Sequence, residues 1–216
     1  MKVAITGSEG KVAQALIVQM DPTLFDVKSL DLPEHDATNL DDLIEATRGS
    51  DALIHLAWKD LNVNGVDPLN RKMYENAYQA AITNKIGLVI MGSSNHARDH
   101  TEREADGRIR YTGAPETPNN AYGEEKQRME QRGRELAQKY GFSVICLRIG
   151  NVNPDDRPKP DVPTRWMSHR DLGRLVSSAL CADFEPGHFE VVYGVSGQPV
   201  FDWTNSFGYQ PVDSAV

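Results

Sequence analysis

The stretch "NNAYGEEKQ", residues 119–127, places a tyrosine and a lysine four residues apart at the start of a predicted helix. A phenol with a pKa near ~10 is a poor base at neutral pH, and an adjacent ammonium favours the phenolate. Lys126 would therefore make Tyr122 a usable base. The simpler interpretation of this spacing is a core tyrosine beside a solvated lysine.

Ser94 lies 28 residues before Tyr122, in "MGSSNH" at the end of a predicted strand. Ligands of open α/β sheets bind at the carboxyl ends of the strands, so three polar side chains are expected to converge there. The predicted chemistry is removal of a proton from a substrate hydroxyl by Tyr122, with Ser94 holding the same oxygen, while a hydride leaves the carbon for nicotinamide. Ser94, Tyr122 and Lys126 are therefore the candidate catalytic residues.

A glycine turn follows the first predicted strand, in "AITGSEGKVAQAL", with the spacing G-x-x-G-x-x-A from Gly7 to Ala13. Gly7 and Gly10 permit a tight turn and close approach of a pyrophosphate, which sits at the N-terminus of the next helix. Lys11 and Val12 open that helix and join the two glycines as candidate cofactor-binding residues. A similar turn also occurs in α/β proteins that bind no dinucleotide.

The second predicted strand ends at Asp31, 21 residues beyond Gly10. A carboxylate at this position can accept hydrogen bonds from both hydroxyls of an adenosine ribose, and it would repel a 2′-phosphate. The position favours NAD over NADP. Lys11 argues weakly in the other direction, because a cation beside the glycine turn could meet a phosphate.

Short apolar runs alternate with helical patterns, which predicts a parallel sheet covered on both faces. The clearest helix spans residues 121–140, with Asn119 or Asn120 as its cap and Tyr122, Met129, Leu136 and Tyr140 on one face. Residues 93–120 and 150–168 are predicted to be long loops. The predicted strands are residues 2–6, 25–30, 52–57, 87–92, 142–149 and 189–195.

Composition narrows the possible classes of function. The chain has 216 residues, 39% of them hydrophobic, a formal charge of −8 and a pI near 5.2. This charge argues against binding to a nucleic-acid backbone. Neither cysteine belongs to a C-x-x-C pair or a metal-ligand cluster, so we expect no metal and two buried core thiols. No run approaches the ~20 apolar residues of a membrane span, and we expect a cytoplasmic protein.

The glycine turn, the strand-end serine and Y-x-x-x-K together resemble the extended short-chain dehydrogenase/reductase superfamily, which includes NAD-dependent epimerases and dehydratases. The resemblance covers nearly the whole chain and implies an α/β fold, a Rossmann-like doubly wound parallel sheet, with NAD as cofactor. It implies that Lys126 also binds the nicotinamide ribose and that Asn70, in preference to Asn76, is the structural or proton-relay asparagine. It adds further residues around the cofactor: Leu32, Asp36, Leu56, Ala57, Tyr122 and Ile149.

Within that superfamily, "SSNHA", "RIGN", "WMSHRDLGRLV" and "VVYGVSG" look like the uronate dehydrogenases and the archaeal NAD-dependent sugar-phosphate dehydrogenases. These enzymes oxidise an aldose at its anomeric carbon. The resemblance implies that Ser94, Asn95, His96 and Asn151 line a sugar or sugar acid. The arginine that would hold a substrate carboxylate is expected near Asp161, so another arginine must act: Arg98, Arg157 or Arg165, of which Arg165 is taken as the substrate-binding residue.

Two features depart from the family pattern. The segment between Asp31 and Asp36 is too short for the usual third strand, and the relatives continue beyond "FGYQPVDSAV". We therefore expect residues 1–216 to form one NAD(P)-binding domain, in which residues 150–216 contribute a small substrate-covering region. His169 in "SHRD" is predicted to belong to a cap and packing motif, whereas Trp166 would either cover the nicotinamide or fill the core.

The leading hypothesis is an NAD-dependent dehydrogenase that converts a hexuronate or related aldose to an aldonolactone. An NAD-retaining sugar-nucleotide epimerase or dehydratase is the enzymatic alternative. A non-catalytic dinucleotide-binding regulatory module is the third, motivated by the short second half and the missing arginine. A homodimer is compatible with the resemblance, because long paired helices in this superfamily often form dimers.

Overall fold

The computed structural model describes residues 1–59 and 66–215. Within those ranges six parallel strands form one sheet in the order β2-β1-β3-β4-β5-β6. The chain order reverses between β1 and β3, and Thr6 at the end of β1 pairs with Leu30 on one side and His55 on the other. The strands are β1 Lys2–Thr6, β2 Asp26–Leu30, β3 Ala52–His55, β4 Leu88–Ser94, β5 Ser143–Ile149 and β6 Phe189–Gly194.

The strands form where continuous apolar runs can be buried on both faces, which is the usual pattern of a parallel sheet. Every residue of β3, β4 and β5 is buried, whereas β2 at the edge is largely exposed. All six predicted strands are present, and two of their ends are shifted by more than one residue: β3 stops at His55 and β4 continues to Ser94. The structure describes no strand between Asp31 and Asp36, so the sheet ends at β2.

Helices cover both faces of the sheet. On one face, α1 and α5 pack through Ala13, Leu16 and Leu175, and on the other α2, α3 and α4 pack through residues such as Tyr78 and Met129. This arrangement confirms the predicted Rossmann-like doubly wound α/β fold. In the part of the chain that the structure describes, the helices are α1 Lys11–Ile17, α2 Leu40–Ala46, α3 Pro68–Asn84, α4 Ala121–Tyr140 and α5 His169–Leu180.

The long helix α4 has the bounds that the sequence predicts. Its cap is Asn120, whose side-chain oxygen accepts a hydrogen bond from the backbone N–H of Gly123, and it ends at Gly141 in the left-handed conformation. Asn119, the alternative cap, instead places its side-chain oxygen 2.7 Å from His96 Nδ1. Met129 and Leu136 are buried, whereas Tyr140 in the last turn is 49% exposed.

The C-terminal part of the chain contributes both to the main layers of the fold and to a small separate cluster. Within residues 150–215, α5 and β6 belong to the main layers, while Phe201 and Tyr193 pack with Ile109 in a small separate cluster. Ser168 caps α5 by accepting from Asp171 N–H. His169 follows that cap, and its Nε2 lies 2.8 Å from the Asn153 carbonyl, so "SHRD" is a capping and packing motif.

The two cysteines differ in exposure. Cys146 is buried in β5, as predicted, and burial raises the pKa of its thiol. Cys181 is exposed directly after α5, so the prediction of a second buried thiol is wrong. Among the described residues no helix is long and apolar enough to span a bilayer. Those residues also contain no group of three or more His, Cys, Asp or Glu side chains able to hold a metal ion.

Candidate active site

The end of β4 and the start of α4 meet directly. A Cβ atom at Gly123 would lie 1.9 Å from the carbonyl oxygen of His96, so only glycine allows this approach. The rings of His96 and Tyr122 are 6.1 Å apart between centroids. The contact brings the residues after Ser94 against the first turn of α4, where Tyr122 is half-buried.

Lys126 is buried one turn further along α4. Its side chain is 4% exposed, and Nζ donates a hydrogen bond to the Gly92 carbonyl at 2.6 Å. The same nitrogen lies 3.4 Å from the ring centroid of Trp58 and 5.6 Å from that of Tyr122. Trp58 in turn meets the Tyr122 ring edge-on, at 5.5 Å between centroids. An ammonium ion is therefore held beside the phenol by a carbonyl and an aromatic face.

Adjacent serines at the end of β4 have different surroundings. Ser94 is buried, and its Oγ accepts a hydrogen bond from the backbone N–H of His96, which caps a short 3-10 helix, Asn95–Ala97. Ser93 instead donates to Glu130 at 2.5 Å. Ser94 is therefore the serine that lies beside His96 and the first turn of α4.

A cavity of about 450 Å³ opens where the strand order reverses, between the ends of β1, β2 and β3. Ligands of doubly wound sheets bind at this kind of switch point. Lys11, Val12 and Ile149 lie outside its lining: Lys11 is exposed, Val12 packs on the core and Ile149 ends β5. The predicted cofactor residues that do line the cavity are Gly7, Gly10, Asp31, Leu32, Asp36, Leu56 and Ala57.

The glycine turn packs closely against the loop after β3. Gly7 has a φ of +71°, and a Cβ there would lie 2.5 Å from the backbone nitrogen of Ala57. Across the turn, the Asp31 carboxylate accepts hydrogen bonds from the backbone N–H groups of Glu9 at 2.8 Å and Leu32 at 2.9 Å. The carboxylate is thus held at the cavity wall beside the glycine turn.

The cavity fits an adenosine group by its chemistry. Leu32 and Leu69 are 64% and 38% exposed and both line the cavity, where a planar base would cover them. Asp31 supplies the carboxylate expected beside a ribose. The wall at Ala37 is fixed by α3, because the Asn76 amide donates to the Ala37 carbonyl at 3.0 Å.

Asn70 has a structural part in the same region. Its side-chain oxygen accepts from the backbone N–H of Lys59 at 2.7 Å, and its amide nitrogen donates to the Lys59 carbonyl at 2.9 Å. Both ends of the side chain are therefore bound to one residue of the loop after β3. Asn70 anchors the loop that carries Trp58.

The predicted substrate residues lie at the end of β4 and in the segments that follow β4 and β5. Asn95 is buried, and its amide nitrogen has no partner within residues 1–59 and 66–215. Asn151 pairs with Trp166 in an isolated bridge, and its N–H donates to the Arg165 carbonyl at 2.5 Å. Trp166 is buried, and its indole nitrogen lacks a partner in the described part of the chain.

The three candidate arginines differ in their surroundings. Arg98 is 6% exposed, and its guanidinium donates to the Arg110 carbonyl at 2.5 Å and to Glu104 at 2.8 Å. Arg157 is exposed. Arg165 is half-buried, and its positive charge lies close enough to His100 to contribute to a lowered pKa of that imidazole. Of the three, Arg165 is therefore the one that is half-buried and carries its charge near His100.

Two of the buried polar side chains, those of Arg148 and His55, were not predicted from the sequence. Arg148 in β5 is fully buried and donates to Glu130 at 2.7 and 2.9 Å and to Glu116 at 2.5 Å. An arginine inside the apolar run "FSVICLRI" was the signal, because a buried charge must be paired. His55, at the end of β3, bonds Thr6 through Nδ1 at 2.8 Å, and burial lowers its pKa to about 3.

The chain is similar in sequence to known proteins. The sequence model of the NAD dependent epimerase/dehydratase family matches residues 3–205. An NAD-dependent glucose-6-phosphate dehydrogenase of Haloferax volcanii is 27% identical, over 90% of this chain and 84% of its own length. A uronate dehydrogenase of Pseudomonas syringae pv. tomato is 30% identical, over 92% of this chain and 72% of its own length.

Solved structures show the same fold. The crystal structure of uronate dehydrogenase from Agrobacterium tumefaciens superposes with a TM-score of 0.83. The match covers 99% of this chain and 85% of the other, at 22% sequence identity. The comparison confirms the fold that the sequence predicts.

Proposed function

Because the chain belongs to the NAD dependent epimerase/dehydratase family, we propose that it is an NAD-dependent dehydrogenase that oxidises a sugar hydroxyl. The substrate we propose is a hexuronate or related aldose, oxidised at its anomeric carbon. The observation that carries the proposal is the pairing of Lys126 with Tyr122, beside the loop that follows Ser94 and against Trp58, which lines the same cavity as Asp31. The names of the relatives, which include two sugar dehydrogenases, support it.

The cavity residues fit the family's cofactor. Gly7 and Gly10 leave room beside the N-terminus of α1, Asp31 would accept from a ribose, and a base would cover Leu32 and Leu69. When bound, NAD supplies the hydride acceptor. The carboxylate of Asp31 would disfavour a 2′-phosphate, so the proposal commits to NAD over NADP.

Proton transfer is assigned to the residues at the start of α4. Tyr122 takes the proton of the reacting hydroxyl, and the Lys126 ammonium favours the phenolate by Coulomb attraction. The Gly92 carbonyl holds that ammonium in place from β4. Ser94 donates to the same substrate oxygen, so the oxygen is oriented as the carbon loses its hydride.

Arg165 is proposed to hold the carboxylate of the sugar acid. The guanidinium of Arg98 already binds Glu104 and the Arg110 carbonyl, and Arg157 is exposed on the loop. Arg165 has no ion pair in the part of the chain that the structure describes, and its charge acts on His100. A guanidinium can bind a carboxylate through two parallel hydrogen bonds.

The test is turnover of pure protein with NAD and a panel of hexuronates, neutral aldoses and sugar phosphates, followed by absorbance of the reduced cofactor. We expect reduction of NAD with a hexuronate. Absence of reduction with every sugar would contradict the proposal. Cofactor that stays bound through purification, with turnover but no net reduction, would instead show an epimerase or dehydratase.

Substrate charge is tested with paired variants. Arg165→Gln should raise KM for a hexuronate at least ~10-fold, since a charge-assisted pair is lost, and leave KM for the matching neutral aldose nearly unchanged. Arg157→Gln is the matched control and should leave both values unchanged. An equal effect of Arg165→Gln on both sugars would assign the arginine a structural part.

A further inference from the structure

Two histidines and an asparagine form a chain of contacts beside the proposed site. The rings of His96 and His100 are 5.0 Å apart between centroids. Asn119, just before α4, bridges them: its Oδ1 lies 2.7 Å from His96 Nδ1, and its Nδ2 lies 3.4 Å from His100 Nδ1. One side-chain amide therefore couples the protonation of one imidazole nitrogen to that of another.

The direction of these hydrogen bonds is set by the contact that His100 makes with the backbone. His100 Nε2 lies 3.0 Å from the Asn95 carbonyl oxygen, which can only accept, so His100 must carry its hydrogen on Nε2. Burial, with the charges of His96 and Arg165, lowers the pKa of His100 against the opposing effects of Asn95 and Asp99. The imidazole is therefore neutral, and its Nδ1 is a bare acceptor.

The bare Nδ1 of His100 orients the amide of Asn119. It accepts from the Asn119 NH₂ group, which turns the amide oxygen toward His96. His96 must then donate from Nδ1. The Asn120 amide nitrogen also faces His96 Nδ1, but at 3.3 Å, and Asn120 is held as the cap of α4. The shorter contact to Asn119 determines the tautomer.

We propose that His100 and Asn119 are positioning residues that hold His96 in its Nδ1–H tautomer, so that Nε2 presents a lone pair to a sugar hydroxyl. Nε2 of His96 has no partner among residues 1–59 and 66–215, and the ring meets that of Tyr122 edge-on, with the ring centroids 6.1 Å apart. A neutral acceptor at this place selects a hydroxyl and leaves the anionic group of the sugar to a cation elsewhere. The identity of the ligand rests on the proposed function, whereas the tautomer does not.

The tautomer can be measured without substrate, cofactor or turnover. Long-range proton–nitrogen NMR correlations of the ¹⁵N-labelled full chain, recorded at pH 8 or above, distinguish Nδ1–H from Nε2–H imidazoles. The spectrum of His96→Gln assigns the His96 signals. We expect Nδ1–H in the wild-type protein, and a predominant Nε2–H form of His96 would overturn the proposal.

Four variants separate positioning from general structure. Asn119→Leu and His100→Phe should each shift His96 toward the Nε2–H form, because the orienting contacts are lost. Asn119→Asp keeps an acceptor toward His96 and should keep Nδ1–H. Asn120→Ser keeps a cap for Gly123 and should leave the tautomer unchanged. A shift of the same size in Asn120→Ser, or none in Asn119→Leu, would contradict the proposed series of contacts from His100 through Asn119 to His96.

Kinetics give a second readout. In Asn119→Leu and His100→Phe we expect KM for the sugar to rise about five-fold, the effect of one neutral hydrogen bond, with KM for NAD unchanged. Asn119→Asp should restore the wild-type KM for a neutral aldose. If no sugar is oxidised, the proposed function fails while the NMR result still decides the tautomer.

Discussion

The side-chain nitrogen of Lys126 lies between a carbonyl oxygen and an aromatic ring, 2.6 Å from the oxygen of Gly92 and 3.4 Å from the ring centroid of Trp58. Trp58 also lines the cavity proposed for the cofactor. One buried ammonium is therefore close to both the cavity wall and the phenol of Tyr122. Replacement of this lysine is expected to affect cofactor binding and proton transfer together.

Lys126→Met should weaken NAD binding and lower kcat, each by at least ~10-fold, and shift the alkaline pH optimum of the remaining activity upward. The reason is that the ammonium no longer favours the phenolate of Tyr122. Calorimetry with NAD and pH profiles of kcat measure the two effects. Lys139→Met, at the other end of α4, is the control. Wild-type kinetics in Lys126→Met would make the spacing in "YGEEK" a coincidence of helix composition.

Tyr122→Phe should keep the fold and the affinity for NAD but lower kcat at least ~100-fold, because the ring still packs while the proton acceptor is gone. Steady-state kinetics with a hexuronate and calorimetry with NAD measure these quantities. Tyr140→Phe on the same helix, at an exposed position, should behave as wild type. A loss of less than ten-fold in Tyr122→Phe would mean that another group takes the proton.

Asp31→Asn should reduce the preference for NAD over NADP by more than ~10-fold, measured as the ratio of kcat/KM values. The asparagine keeps an oxygen for the N–H group of Glu9 or Leu32, so the turn is retained while the charge is removed. Asp26→Asn, at the opposite end of β2, should leave the ratio unchanged. An unchanged ratio in Asp31→Asn would show that this carboxylate does not face the ribose.

The free energy of unfolding should depend on His55 between about pH 6.5 and 3. Burial, followed by the charge of Lys126, lowers the pKa of His55 from 6.5 to about 3, so the unfolded chain binds a proton that the native state excludes. This contribution is complete above pH 6.5 and declines as pH falls, by up to ~1.4 kcal/mol per unit.

Denaturant unfolding at several pH values measures this dependence. In His55→Gln the slope between pH 6 and 4 should be smaller than in the wild-type protein by nearly one proton. The comparison uses slopes, so a lower overall stability of the variant does not obscure it. Equal slopes would show that His55 is protonated in the native state.

The sequence predicts the sheet well because its signals are local. Continuous apolar runs locate the six strands to within three residues, and the glycine turn with Asp31 predicts which strands border the cavity. The four-residue spacing of Tyr122 and Lys126 on a helix also predicts that these two side chains lie near each other. A parallel topology and a helical period determine these relationships.

Contacts made by loops were not predictable in the same way. The bridge from His96 through Asn119 to His100 depends on how residues 95–119 return to α4, and no periodic pattern encodes that path. The position of Trp58 over Lys126 depends on the anchor that Asn70 gives to its loop. Cys181 was misplaced because it follows the last helical turn, where the apolar period no longer determines burial.

The contact between Gly123 and the His96 carbonyl has a consequence for how this chain can vary. The contact is made by backbone atoms, so the distance between the loop after Ser94 and helix α4 does not depend on which side chains surround them. Loop residues such as Asn119, Arg157 and Arg165 can then be exchanged to suit a different sugar while the reacting groups keep their spacing. A library for altered specificity should randomise those loops and leave position 123 as glycine.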